Sequence, residues 1–230
     1  MCLSLIWIIN WCLWICHKMD FERLIQQLET KLKEPLPGKE AHIKMSPQPV
    51  DLRRFEPKLP ENHRKSGVLL LFYPTSEGSF FPLIKRPIYP GVHSGQVAFP
   101  GGKMEPEDET IVQTALREAE EEIGINRSKV TILGNLSDLF IPTSNFLVSP
   151  VVGFTEQKPD LIPEEKEVSR IISTELLQLF DPMVRKQKVL ELRPNLLLNT
   201  PYFDIDGEIV WGATAMILSE LIQILNQDNR

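Results

Sequence analysis

The stretch Arg117-Glu118-Ala119-Glu120-Glu121-Glu122-Ile123-Gly124-Ile125 sets four glutamates on a segment whose neighbours demand burial. Val112, Ala115, Leu116, Ala119 and Ile123 follow one another at i, i+3, i+4, i+7 and i+11, the spacing of a single apolar stripe along an α-helix. Glu118, Glu121 and Glu122 fall at i, i+3 and i+4. Their Cβ atoms therefore share a second face at about 5–6 Å, where like charges repel. A chain that folds this way must seat one helix face in a core and neutralise the other. A divalent cation neutralises it, because hard ions such as Mg²⁺ take oxygen ligands, keep several waters and bridge to phosphates.

The flanking residues narrow this reading. Phe99-Pro100-Gly101-Gly102 precedes an acidic loop, Glu105-Pro106-Glu107-Asp108-Glu109, that leads into the periodic segment. Paired glycines permit close backbone approach and leave amide and carbonyl free to meet a metal or a phosphate. Gly124 stands where a C-terminal cap belongs, with Ile125 placed for the accompanying apolar contact. An acidic helical run is by default a solvated face. A solvated face, however, requires neither glycines at the loop start, nor an arginine before the first glutamate, nor a glycine after the last.

With these residues in view, the segment from Gly102 to Ile125 resembles the Nudix box: Gly, five residues, Glu, seven residues, Arg-Glu-apolar-any-Glu-Glu-any-Gly-apolar. The second half matches at every fixed position. In the first half, counting back from Arg117 makes Glu109 the box acid, and counting forward from Gly102 makes it Asp108, so either acid is open as the partner of Arg117. One inserted loop residue reconciles the two counts. The resemblance implies that Glu118, Glu121 and Glu122 bind Mg²⁺ or Mn²⁺, that the Gly102 carbonyl joins them, and that Arg117 orients the carboxylates. Glu167, in a Pro-any-any-any-Glu-Val context, is the candidate for a carboxylate supplied from outside the box, with a solvated loop acid as the plainer alternative.

Upstream, residues 82–102 are similar to the signature of coenzyme A pyrophosphatases. Leu83, Arg86, Gly95, Phe99, Pro100, Gly101 and Gly102 fall on it; Pro82, Ile84, Pro87 and Gly91 stand where it has leucine, threonine, serine and a second arginine. Tyr202-Phe203 and the run Ile209-Val210-Trp211-Gly212-Ala213-Thr214-Ala215 look like the closing segment of the same enzymes. This resemblance implies metal-dependent hydrolysis of the pyrophosphate bond of coenzyme A or its thioesters, giving 3′,5′-ADP and 4′-phosphopantetheine or its acyl form. It turns Arg86, His93, Gly95, Phe99 and Gly101 toward the substrate. A guanidinium at Arg86 suits paired hydrogen bonds to phosphate oxygens, whereas His93 taken alone reads more simply as a packed or hydrogen-bonded histidine. The missing arginine at Gly91 favours an alternative, a Nudix hydrolase of another nucleoside diphosphate derivative such as ADP-ribose. A non-catalytic nucleotide-binding module is the third possibility.

A net charge of −6 speaks against nucleic acid as partner, since phosphate-backbone binding rests on clustered Lys and Arg. Residues 1–18 stand apart, holding three of the four tryptophans and all three cysteines in a nearly continuous apolar run. The run is short for a membrane span, has Asn10 in its middle, and lacks the basic start and cleavage site of a signal peptide. The preferred reading is a mispredicted upstream start with translation from Met19; a membrane-surface anchor is the alternative. Residues 19–230 then make one domain, and the lack of cysteine after Met19 suits a reducing cytoplasm.

Strands are expected over 67–73, 80–85, 96–99, 130–133, 146–154 and 208–211. Helices are expected from an Asp20 cap through Leu32, around 112–123, over 174–180 and over 214–225. Mixed strands flanked by helices predict an α/β/α sandwich with a mixed β-sheet, which the Nudix resemblance also implies.

Overall fold

The computed structural model describes residues 21–56, 58–91, 93–193 and 196–226. The apolar segment 1–18 and the Asp20 cap lie outside them. Strand β1 (Arg64–Thr75) is the centre of the fold, and its run Leu69-Leu70-Leu71-Phe72 is buried on both sides. Successive side chains of a strand point to opposite faces. Leu69 and Leu71 accordingly join the cluster beneath a helix carrying Ala115, Ala119 and Ile123. Leu70 and Phe72 join a second cluster with Leu24, Leu28, Ile217 and Leu221. Three layers result, as expected from the sequence: helix α3 (Ile111–Ile123) on one face, α1 (Phe21–Lys31) and α4 (Gly212–Leu225) on the other. A short helix α2 (Lys39–Ile43) packs against α4.

The sheet is mixed. β2 (Gly78–Lys85) returns antiparallel to β1, and β7 (Phe146–Phe154) runs parallel to it in unbroken register from Arg64 opposite Phe146 to Phe72 opposite Phe154. β3 (Val97–Ala98) pairs with β2, and β4 (Gly101–Lys103) pairs with the first part of β1. β5 (Thr131–Asn135) and β6 (Leu139–Ile141) pair with β7, and β8 (Arg170–Glu175) lies along β2. Helix α3 crosses this sheet at Gly67, where a Cβ would stand 2.6 Å from the Ile111 carbonyl oxygen. Only a residue without a side chain lets the helix come so close.

Two expectations need correction. Residues 174–180 do not form an α-helix: Thr174 and Glu175 end β8, whose pairing with β2 runs without a break from Lys85 opposite Arg170 to Phe80 opposite Glu175, and a 3-10 turn follows over Leu176–Phe180. The β-branched Ile171, Ile172 and Thr174 favour that strand, and Leu176 and Leu179, three apart and both buried, suit a period-three turn. The second correction is a separate three-stranded sheet of β9 (Arg185–Arg193), β10 (Leu196–Ile205) and β11 (Glu208–Trp211), of which only β11 was expected. β9 reads as a charged run because it is an edge strand exposed along most of its length, and lysines at such edges discourage foreign pairing. The turn into β11 is Asp206-Gly207, with φ of 52° and 77°, a two-residue hairpin connection of the Asp-Gly kind.

Buried Glu220 of α4 ties the helix layer to two loops. Its carboxylate accepts from Gly38 N at 3.0 Å and Ser137 N at 3.1 Å, and its Oε2 lies 3.0 Å from His42 Nε2. Burial would push this acid up, but these partners outweigh burial and hold it below the usual glutamate value. Glu220→Gln sets an amide NH₂ against main-chain donors. The expected cost is about 1–2 kcal/mol, read as a lower urea midpoint with unchanged slope. Among the described residues no helix is long and apolar enough to cross a membrane.

Candidate active site

Helix α3 owes its ends to local chemistry. Thr110 caps it by accepting from Gln113 N, and the Gln113 side chain accepts in return from Thr110 N, a reciprocal capping box. At the other end Gly124 takes φ 71° and its N–H donates to the Glu120 carbonyl. Between these caps the buried stripe fixes which way the glutamates turn.

Glu122 is enclosed at 1% exposure and leans on the start of β4, its Oε2 accepting from Gly101 N at 2.8 Å. Glu118 fills the space beside Gly102, where a Cβ would sit 2.3 Å from its Oε2. A side chain at position 102 would evict the carboxylate. Gly101 (φ 152°) is equally constrained, because a Cβ there would come within 2.4 Å of the Gly67 carbonyl oxygen on β1. The paired glycines thus let β4 lie close to both β1 and the helix.

Burial pushes Glu118 up, helped by Glu121 and Glu167 and opposed by Arg117. Burial pushes Glu122 up to about 7, with Glu118 and Glu167 adding to it and the Gly101 amide and Arg86 opposing. Glu167 is therefore brought electrostatically against both helix acids, although it lies more than forty residues further along the chain. Its segment is fastened to the end of α3: Ile162 N donates to the Ile123 carbonyl at 2.9 Å and Glu164 N to the Glu122 carbonyl at 3.0 Å.

Arg117 answers the question left open by the two residue counts. Its Nε and Nη2 donate to Asp108 at 3.1 and 2.8 Å, a forked pair, and Asp108 also accepts from Thr114 Oγ1 and Glu105 N. Asp108 is the partner; Glu109 stays exposed, its N–H donating to Gln113. The Arg117 hydrogen bonds, against the cost of burial, hold the Asp108 carboxyl far below the usual range. The remaining nitrogen, Nη1, spans Glu118 at 2.9 Å and Glu121 at 3.1 Å. Glu121 is thereby drawn along the helix surface, with 57% of its side chain exposed. Among the described residues no three metal-ligating side chains already converge on one point. The donor chemistry nonetheless fits a hard divalent cation, for Glu118, Glu121, Glu122 and Glu167 offer only carboxylate oxygens, and the neighbouring negative charges add to the burial that raises Glu118 and Glu122.

The upstream residues divide. Arg86 reaches the site: its Nη2 lies 3.9 Å from Glu122 Oε1 and donates to the Gly101 carbonyl at 3.4 Å. His93 bonds instead to Gln96 Oε1 at 2.9 Å through Nδ1, inside a turn closed by Gly95 N donating to the Pro87 carbonyl. Gly95 serves that turn with φ 66°. Phe99 corrects an expectation, because at 2% exposure it packs on Phe81 in the core on the α4 side and offers no face to a ligand. Gly101 spends both its amide and its carbonyl on protein partners, so its part is to link Glu122 to Arg86 and not to touch substrate. A cleft of about 610 Å³ lined by residues such as Arg53, Lys58 and Phe140 includes none of these groups.

A model of the NUDIX domain matches residues 63–192, more than half of the chain. The chain belongs to the Nudix hydrolase family. Relatives described as uncharacterised Nudix hydrolase NudL agree: that of Yersinia pestis (strain Pestoides F) is 30% identical over 178 residues, 77% of this chain and 87% of the relative. That of Yersinia enterocolitica is 36% identical over 135 residues, 58% of this chain and 68% of the relative. Among solved structures, the Nudix hydrolase RenU of M. smegmatis superposes with a TM-score of 0.50 at 15% identity, covering 75% of this chain and 94% of its own. This Nudix protein is thus a pyrophosphohydrolase, and enzymes of the family work with divalent metal ions.

Proposed function

We propose that this Nudix hydrolase cleaves the pyrophosphate bond of coenzyme A or its thioesters, releasing 3′,5′-ADP and 4′-phosphopantetheine or its acyl form. The observation that carries the reading is the position of Arg86, which falls on the coenzyme A pyrophosphatase signature and stands 3.9 Å from Glu122. From there a planar guanidinium can bind phosphate oxygens in pairs.

Glu118, Glu121 and Glu122 would hold Mg²⁺ or Mn²⁺. When bound, the ion offsets phosphate charge and lowers the pKa of a coordinated water toward neutrality. The chain's own groups do the rest. Glu118 and Glu121 are shared with Arg117, and Glu122 is committed to Gly101. The Glu167 side chain, by contrast, accepts no hydrogen bond among the described residues. Glu167 is therefore the acid of the four with neither oxygen engaged, and we assign it the proton released as water attacks phosphorus. The bridging P–O bond then breaks and the departing oxygen leaves as a phosphate anion.

A second reading, hydrolysis of another nucleoside diphosphate derivative, is favoured by one feature. Where the signature has its second arginine stands Gly91, at φ 156° with a Cβ position 3.1 Å from the Tyr89 ring, which places no cation there. Incubation with coenzyme A, acetyl-coenzyme A, ADP-ribose and a nucleoside triphosphate, each with Mg²⁺ or Mn²⁺, separates the two. Release of 3′,5′-ADP with the highest kcat/KM for the coenzyme A pair is expected. Turnover of ADP-ribose without coenzyme A cleavage would overturn the assignment.

A further inference from the structure

Glu167 adds its charge to the field at Glu118 and Glu122 from a segment with no regular secondary structure, so something must fix its place. The segment is fastened twice. At its start, Ile162 N and Glu164 N donate to the last carbonyls of α3, those of Ile123 and Glu122. This docking is closest at Gly124: a Cβ there would meet Ile162 Cβ at 3.2 Å and the Ile162 carbonyl oxygen at 3.3 Å, so any side chain pushes the segment outward by a few tenths of an ångström. At its end, Ser169 N and Ser169 Oγ both donate to the Lys85 carbonyl at 2.9 Å, with the Arg86 carbonyl 3.4 Å from the same hydroxyl. Between the two ties, Glu167 N and Val168 N both donate to the Glu164 carbonyl, closing a turn, and Val168 is buried in the cluster under α3.

We infer that residues 161–169 form a strap fastened at both ends, and that Gly124 and Ser169 are positioning residues which set the Glu167 carboxylate against Glu118 and Glu122. Gly124 thus does more than end the helix: its bare Cα is the seat of the strap. Ser169 does more than lead into β8: its hydroxyl ties the strap to the end of β2, next to Arg86. The inference rests on the assignment of Glu167 to the site, and a double-mutant cycle distinguishes the failure of each.

Gly124→Ala and Ser169→Ala are made in the wild-type chain and in Glu167→Gln, and steady-state kinetics are measured on the preferred substrate. In the wild-type background we expect kcat to fall about tenfold for Gly124→Ala and about threefold for Ser169→Ala, with KM held within about twofold. In Glu167→Gln the same changes cost nothing further, because the group they position is gone. Ser169→Thr, which keeps the hydroxyl, recovers most of the Ser169→Ala loss. Amide hydrogen exchange over 161–169 quickens in both alanine variants while the rest of α3 keeps its protection. Ser169→Ala, which changes no backbone requirement, carries the test should Gly124→Ala fail to fold. Losses that add in full to that of Glu167→Gln would overturn the strap alone. An undiminished kcat in Glu167→Gln itself would remove Glu167 from the site and the strap with it.

Discussion

Glu121→Gln is expected to lower kcat by about 10²–10³-fold while leaving the fold intact. The two halves of this result have separate causes. More than half of the Glu121 side chain is exposed, and its partner in the protein is the guanidinium of Arg117 at 3.1 Å. An exposed ion pair of this kind contributes within about 1 kcal/mol, so the melting temperature should barely move. Turnover is another matter. The repulsion between a pyrophosphate and incoming hydroxide must be offset by positive charge, and our reading makes Glu121 one of the acids that retain it. Removing one charged oxygen donor weakens the ion's hold where charge develops in the transition state. Calorimetric titration with Mn²⁺, in parallel with kinetics, should show weaker uptake by the variant. Unchanged turnover with a correctly folded chain would mean that the helix acids bind without catalysing, the behaviour of a nucleotide-binding module.

What could be read from the sequence follows a physical division. Helix α3 was legible because its apolar stripe, its cap glycine and its acidic face each obey a short-range period, and the central strands were legible because burial on both faces makes them continuously apolar. The β9–β10 pair was not, since an exposed edge strand such as Arg185–Arg193 carries no hydrophobic alternation; only the Asp206-Gly207 dipeptide marked its far turn. The helix expected at 174–180 failed because pairing with β2, a long-range partner, decides the state of Thr174 and Glu175. At the candidate site, residue types at fixed offsets single out Glu118 and Glu122, but not what they touch. Phe99 illustrates the gap: a signature position invites a ligand contact, yet the packing of Phe81 and Phe99 assigns it to the core. Ser169 and Glu220 carried no sequence signal, for a single serine or glutamate gains its meaning from carbonyls and amides that only the fold brings near. The Thr110-to-Gln113 capping box, in contrast, was a readable start signal that sequence reasoning passed over.

Asp108 shows how an ambiguity in spacing becomes an energetic difference, and Asp108→Asn should be costly where Glu109→Gln is not. Asp108 is buried and receives four donors: two from Arg117, the Thr114 hydroxyl and Glu105 N. An asparagine of the same shape keeps one acceptor oxygen and turns an NH₂ toward a guanidinium. Removing one member of an enclosed ion pair costs roughly 3–5 kcal/mol. Arg117 retains 23% side-chain exposure and can regain water, so we expect about 2 kcal/mol here, a fall in Tm of roughly 4–8 °C. Glu109, exposed and outside the pair, should change stability by less than about 0.5 kcal/mol. The pH dependence has a definite sign. The folded carboxyl titrates well below its unfolded value because Arg117 hydrogen-bonds the charged form. Its stabilisation is therefore complete above about pH 4, the unfolded carboxylate value, and drains away as pH falls toward the folded one. Wild type and Asp108→Asn should accordingly differ most near neutrality and converge in acid, as urea midpoints measured between about pH 7 and pH 3 would show. Turnover should fall as well, by about tenfold, since an Arg117 no longer anchored by Asp108 is free to follow Glu118 and Glu121 and hold them away from the ion. Equal stability of wild type and Asp108→Asn at pH 7, or a larger loss in Glu109→Gln, would return the role of box acid to Glu109.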